Sequence, residues 1–239
     1  MNKRFTPDII PAGGVSVLSV NIYNPNVFPL TLSTVPAAWV DTLPAGVVFA
    51  NPANAVSTCG GTVSMIGQNL SLIGGTVPAQ VGDDPGVCTV TVNVTSVIPG
   101  NHDNIIPANN LKATDPSGTL PITNTTPATH TLQVNTIQPP SLSKTFSPNT
   151  QWIGLNAVLS IRIRNNDLNY PLTGVSVTDN LPTGITVANT TVSFSNCGGS
   201  AAISGPGGIP LAAGQNALTI SKATRSEERR VGKECRSRW

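Results

Sequence analysis

The segment Cys88–Val94 reads CTVTVNV, in which polar and apolar side chains alternate from Thr89 onward. Val15–Ile22 (VSVLSVNI) and Leu159–Arg164 (LSIRIR) alternate in the same way. A period of two is typical of a β-strand that has one face on a core and the other toward solvent. Turn signals such as Pro11–Gly14 and Leu43–Gly46 lie between such segments. The pattern predicts a chain of short strands joined by tight turns.

The composition supports an all-β chain. Charged residues make up 10% of the sequence, against roughly 25% in ordinary soluble domains. Gly (22) and Pro (21) are abundant, whereas the helix formers Glu, Lys and Arg are scarce before residue 225. Several short strands within a domain-sized length favour immunoglobulin-like β-sandwiches.

The charge distribution and the lengths of the apolar runs argue against two classes of partner. Residues 1–224 hold seven Lys or Arg against eight Asp, a net charge of −1. We therefore expect no nucleic-acid partner, since such binding needs a basic surface. The sequence also has no apolar run of about eighteen residues, so we expect no membrane insertion.

The segment Arg225–Trp239, RSEERRVGKECRSRW, differs abruptly in composition from the rest. It resembles the in-frame translation of a short-read sequencing adapter, and we predict that residues 225–239 are a non-native tail. We also find no leader pattern after Met1. We expect the sequence to be a fragment whose signal peptide and anchor are missing.

The chain repeats itself over a long period, which indicates one domain per repeat. Five ordered blocks recur at offsets of 138 to 142 residues: Lys3–Pro7 with Lys144–Pro148, Pro29–Thr31 with Pro171–Thr173, Val40–Gly46 with Thr178–Gly184, Asn51 with Asn189, and Cys59–Gly61 with Cys197–Gly199. We place a first repeat at residues 1–138 and a truncated second repeat at residues 139–224. The Pro-rich stretch Ile137–Pro140 serves as the hinge.

As a set, these motifs resemble a conserved repeat domain of bacterial surface proteins, an immunoglobulin-like domain of unknown function found in long exported proteins. The resemblance covers roughly residues 3–224. It implies an extracellular location, at the cell surface or cell wall. It implies little about a ligand.

Cysteine usage predicts one disulfide in each complete repeat. Cys59 and Cys88 lie in the first repeat, and Cys197 is the counterpart of Cys59. Their spacing fits no zinc motif. We predict a Cys59–Cys88 disulfide, with two buried free thiols as the alternative.

Three residues of the first repeat fit a self-made cross-link. Some surface sandwiches join a Lys amine to an Asn carboxamide with the help of an acid, and Lys3, Asp41 and Asn104 have the required chemistry. Lys144 and Asp179 recur in the second repeat. In the alternative interpretation Lys3 is solvated, and Asp41 caps the Leu43–Gly46 turn.

We expect no catalytic centre, no metal and no cofactor. Gly100–Asp103 reads GNHD, a string found in metal-dependent phosphoesterases, but the single other histidine, His130, is too little for that site. Asp83 and Asp84 are too few for a strong Ca²⁺ site, so we expect a solvated turn. No Glu precedes residue 225, which weakens any paired-carboxylate mechanism.

The sequence therefore favours a non-catalytic structural repeat, a stalk or spacer, whose partners are neighbouring repeats of the same chain. One alternative is an adhesive or carbohydrate-binding module with an unidentified cell-surface or matrix ligand. In that case Trp39 or Trp152 would be the sugar platform, although we expect both in the core. The other alternative is an accessory domain of a large exported enzyme.

Overall fold

The computed structural model describes residues 1–167, 169–195, 201–225 and 235–238. The chain forms two compact units, Met1–Thr136 and Ile137–Trp239. The division falls beside the Pro-rich stretch at Ile137–Pro140. Almost all regular structure is β-strand, and the predicted class of all-β sandwich repeats is confirmed.

The first unit contains fifteen strands: β1 (Asn2–Thr6), β2 (Ile9–Pro11), β3 (Val15–Asn24), β4 (Leu30–Leu32), β5 (Trp39–Thr42), β6 (Val47–Phe49), β7 (Val56–Ser57), β8 (Thr62–Ile66), β9 (Asn69–Ile73), β10 (Thr76–Val77), β11 (Gly86–Ser96), β12 (Gly100–Ile106), β13 (Ala113–Thr114), β14 (Pro121–Ile122) and β15 (Ala128–Asn135). They form four sheets. The sheet orders are β1-β3-β11-β6 with β7 also on β11, β10-β4-β13-β14, β12-β15-β2 and β5-β9-β8. All pairs are antiparallel except β2 with β15.

The two longest strands, β3 and β11, form the centre of the largest sheet. Val20 lies opposite Val90, and burial alternates along both strands. It follows the sequence pattern except at the start of β3, where Ser16 is buried and Val15 is exposed. Their inward side chains join a single core that includes the fully buried Phe5 and Trp39. Full burial of such a large apolar side chain contributes roughly 1.5–3 kcal/mol or more. This core holds the four sheets together.

In its described residues, the second unit contains seven strands and one short 3-10 helix (Pro206–Gly208). The strands are β16 (Ser141–Ser147), β17 (Val158–Arg164), β18 (Leu172–Asn180), β19 (Ser193–Ser195), β20 (Ala202–Ser204), β21 (Ala217–Arg225) and β22 (Cys235–Arg238). Their sheet orders are β16-β17-β22-β19 and β18-β21-β20. Leu159, Ile161, Ile163, Leu218 and Ile220 form the buried core of this unit.

The two units share strand register as well as sequence. Phe5 pairs with Leu18 in the first unit, and Phe146 pairs with Leu159 in the second. The sheet β18-β21-β20 corresponds to β5-β9-β8, since Asp179 lies opposite Leu218 as Asp41 lies opposite Leu70.

The recurring Leu-Pro-x-Gly motif also has a structural reason. Gly46 and Gly184 adopt φ values of +85° and +89°, a conformation that favours glycine. The two turns therefore need glycine at the same position of the repeat.

The strand β22 lies in the segment that we interpret as a non-native tail. It pairs with β17 and β19 and takes the place beside β17 that β11 takes beside β3. Strand pairing uses backbone groups that almost any sequence offers to an open edge. The interpretation of residues 225–239 therefore stays a prediction.

Candidate functional site

The first unit contains a buried polar cluster made of Lys3, Asp41 and Asn104. Strand alternation places them: the side chains of β1, β5 and β12 at these three positions face the core, and their neighbours face outward. The three strands belong to three different sheets. All three residues are nearly or fully buried.

Asp41 connects the other two side chains. Its Oδ1 lies 2.7 Å from the ammonium Nζ of Lys3, and the side chains of this ion pair are fully buried. The Asn104 amide donates from Nδ2 to Asp41 Oδ2 at 3.0 Å. Both oxygens of one carboxylate are therefore used, one for the amine and one for the carboxamide.

The electrostatics of the cluster favour a reactive amine. Desolvation by burial lowers the pKa of Lys3, and the charge and hydrogen bond of Asp41 only partly oppose this effect. Asn104 Oδ1 is buried and has no hydrogen-bond partner among the described residues. A buried carbonyl oxygen without a hydrogen-bond partner destabilises the fold, so a hydrogen-bond donor that reached Asn104 Oδ1 would stabilise it.

The structure thus brings together the three residues of the predicted cross-link. The alternative, in which Lys3 is solvated and Asp41 caps the neighbouring turn, is wrong, because the Lys3 and Asp41 side chains are fully buried against each other.

The second unit repeats part of this cluster. Lys144 Nζ lies 2.7 Å from Asp179 Oδ1, but these side chains are 33% and 13% exposed. Asp179 Oδ2, which corresponds to the oxygen that binds Asn104, has no partner among the described residues.

A disulfide joins Cys59 and Cys88, as the sequence predicts. Cys88 lies on β11 opposite Ile22, and Cys59 follows β7, which pairs with the same strand. Both cysteines lie in the core. The two buried thiols of the alternative are therefore excluded in this structure, while Cys197 lies outside the described residues.

The GNHD string has a structural use. His102 is only 8% exposed, and its Nδ1 and Nε2 contact the carbonyl oxygens of Ala45 at 3.0 Å and Ile98 at 2.8 Å. Asp103 points to the opposite face of β12, where it accepts a hydrogen bond from the Thr131 hydroxyl. Because the two side chains point apart, they do not converge on one metal ion.

The other proposed acidic or metal-binding residues are also dispersed. His130 Nδ1 accepts a hydrogen bond from the Phe5 backbone N–H, and its ring packs edge-on against Phe5. Asp83 and Asp84 are exposed in a turn closed by pairing of Val81 with Asp84, as expected. Within the described ranges, no three His, Cys, Asp or Glu residues are grouped to hold a metal ion. The described part of the chain also has no helix of the length and apolarity that a membrane span needs.

The two tryptophans differ in their environments. Trp39 is 1% exposed and lies in the core, as expected. The expectation of a core position for Trp152 is wrong, since 83% of this residue is exposed in a turn beside the fully exposed Ile153.

The sequence reasoning missed an open groove of about 710 Å³ along β4, β13 and β14. Thr31, Thr34, Lys112 and Thr114 lie on its walls, and none of its lining residues is aromatic. It also missed Asn124, whose side chain is buried and binds the backbone of Leu111. Asn124 and half of the residues that line the groove lie outside strands, where the sequence carries no periodic signal.

Comparison with known proteins identifies the family. The family model described as Domain of unknown function (DUF7933) matches residues 1–134 and again residues 140–235. A search of curated proteins found no match. A solved structure titled BspA_C_WT is similar at 10% identity with a TM-score of 0.35, covering 96% of this chain and 84% of that one. With two family matches that together span nearly all of its length, the chain belongs to the DUF7933 domain family.

Proposed function

We propose that this chain is a non-catalytic spacer of an exported bacterial surface protein, built from tandem repeats that hold another part of the protein away from the cell. The repeats pack their own cores separately. Such an arrangement lets copies be added in series without changing the individual domain.

The observation that carries the proposal is the buried disulfide between Cys59 and Cys88. Structural disulfides persist in oxidising compartments outside the cytosol. The low charged fraction of the sequence supports the same location, because a surface rich in Thr, Ser and Asn offers few charges for unspecific binding.

The candidate catalytic side chains support a structural role as well. His102 contacts two carbonyl oxygens, and His130 binds the backbone of Phe5. In both cases the ring is engaged in holding strands and turns together. We propose that the chain itself catalyses no reaction on a substrate.

Surface display tests the spacer role. The full chain is placed between a wall anchor and an outermost epitope on a bacterial cell, which is then treated with a broad-specificity protease. We expect the epitope to survive, and to be lost faster when Cys59 and Cys88 are both replaced by Ser. If the epitope were lost from the unaltered chain as fast as from the variant without the two cysteines, the proposal would be contradicted.

An adhesive module is the second candidate, and the exposure of Trp152 favours it. An exposed aromatic face beside another apolar side chain can stack on a sugar ring. A glycan array probed with the full chain and with Trp152→Ala separates the two functions. Binding that disappears in the variant would establish the adhesive function, and an absence of binding by both leaves the spacer role as the better account.

A further inference from the structure

We propose that the first unit forms an intramolecular isopeptide bond between Lys3 and Asn104, with Asp41 as the acid–base group. The proposal concerns the interior of one domain. It does not rest on the spacer role, because the reaction needs no partner and no particular cellular compartment.

The geometry of the cluster places both reactants on one acid. Lys3 Nζ and Asn104 Nδ2 bind the two oxygens of Asp41 at 2.7 and 3.0 Å. The amine and the carboxamide therefore both lie against the same carboxylate, on strands whose positions are fixed by the sheets. Such positioning replaces a bimolecular encounter by a step inside the fold, which greatly raises the rate of amide chemistry.

The amine becomes a nucleophile by losing a proton to its neighbour. Nucleophilic attack needs the neutral form, and burial already lowers the pKa of Lys3. Proton transfer from Nζ to Asp41 Oδ1 across the 2.7 Å contact yields a neutral amine and a neutral carboxylic acid. Neutralisation also removes two charges from a site where their desolvation is costly.

The carboxamide is activated by the same proton. Asn104 Oδ1 is buried without a hydrogen-bond partner among the described residues. Rotation of the carboxamide by a half-turn exchanges the positions of its nitrogen and oxygen atoms, which are nearly equal in size. After that turn, the protonated Asp41 donates to Oδ1, and the carbonyl carbon Cγ becomes more electrophilic.

The reaction balances without an oxidant or cofactor. The Lys3 Nζ–Asn104 Cγ bond forms, and the Asn104 Cγ–Nδ2 bond breaks. The two protons released by the amine pass through Asp41 to the leaving nitrogen Nδ2, which rotation of the tetrahedral carbon brings back to the Asp41 carboxyl. The products are the Lys3–Asn104 amide, whose nitrogen keeps one hydrogen, the Asp41 carboxylate and one ammonium ion.

The second unit supplies an internal comparison. Lys144 and Asp179 keep the ion pair, but no carboxamide among the described residues binds Asp179 Oδ2. The pair is also partly exposed, so the amine is less desolvated than in the first unit. We therefore expect one isopeptide bond in the chain, not two.

The test is the intact mass of the purified, folded full chain, followed by tandem mass spectrometry of its peptides. We expect a mass lower than the disulfide-bonded sequence by one ammonia molecule, and a branched peptide that links Lys3 to Asn104. Asn104→Ala, Lys3→Met and Asp41→Asn should each restore the full mass. Lys144→Ala should leave the loss of ammonia unchanged.

A folded wild-type chain of full mass would overturn the proposal, whether or not any variant folds. Loss of ammonia at a different pair of residues would overturn it as well. Circular dichroism and the presence of the Cys59–Cys88 bond establish that the measured chain is folded.

Discussion

Lys144 Nζ lies 2.7 Å from Asp179 Oδ1, the same separation as that between Lys3 and Asp41 in the first unit. The two ion pairs therefore have equal geometry but unequal burial: the Lys3–Asp41 side chains are inaccessible, whereas Lys144 is one-third exposed. Burial decides what an ion pair contributes to stability and whether its amine becomes reactive.

The two lysines should differ in their effect on stability. Lys3→Ala removes the buried partner of Asp41 and, with it, the proposed bond to Asn104, and we expect a loss of at least about 3–5 kcal/mol from the free energy of unfolding of the first unit. Lys144→Ala removes a partly exposed pair, for which solvent screening leaves about 0–1 kcal/mol. Urea unfolding of the full chain and the two variants measures both. Equal losses would contradict the role of burial.

The disulfide should stabilise the first unit by closing a loop in the unfolded chain. Cys59 and Cys88 are separated by 29 residues, for which the chain-entropy relation gives about 3–4 kcal/mol. Replacement of both cysteines by Ser should lower the unfolding free energy of the first unit by that amount. Thermal unfolding with and without reductant provides the matched control, because the double variant should not respond to reductant.

Asp167 should make the second unit sensitive to acid. The residue as a whole is 5% exposed, and its carboxylate accepts hydrogen bonds from the backbone N–H groups of Gln138, Asn169 and Tyr170, which lower its pKa below the ordinary 3.8. Because the pKa is lower in the folded state than in the unfolded state, the carboxylate stabilises the fold at pH values above its unfolded-state pKa. This stability is lost as the pH falls through the folded-state pKa.

Asp167→Asn provides the comparison for that pH dependence. The wild-type second unit should lose stability relative to the variant as the pH falls below about 4. Unfolding of both proteins at a series of pH values measures the difference. A constant difference across the range would show that the carboxylate does not titrate as inferred.

His102 should matter for stability, and its neighbour Asp103 should not. His102→Ala removes contacts with the carbonyl oxygens of Ala45 and Ile98, for which we expect a loss of about 1–3 kcal/mol. Asp103→Ala removes a single hydrogen bond on the exposed face, and the expected loss is below about 1 kcal/mol. The reverse order in chemical unfolding would point to a role for Asp103 that the structure does not show.

Strand alternation made most of the fold predictable. A period of two fixes which side chains of Leu18–Ile22 and Cys88–Val94 face the core, and the observed burial follows it. Repetition also linked Lys3 and Asp41 to Lys144 and Asp179, because a repeated pair of unusual charges in a weakly charged chain indicates a shared structural use. The Lys–Asp pair of the cluster was therefore accessible from the sequence.

The remaining features depend on long-range packing or on loops. The position of Asn104 beside Asp41 results from two sheets meeting, and no local pattern specifies that register. The exposure of Trp152 and the groove along β4, β13 and β14 depend on turns, where side-chain direction has no period.

A covalent connection through the core of the first unit is measured most directly by stretching the full chain by its two ends. With Lys3 bonded to Asn104, the force passes directly between these two residues. In the first unit, only the residues from Asn104 to Thr136 then extend, by roughly 110 Å. Asn104→Ala, with the disulfide intact, should extend by more than three times as much. A wild-type first unit that extends as far as the variant would contradict the account.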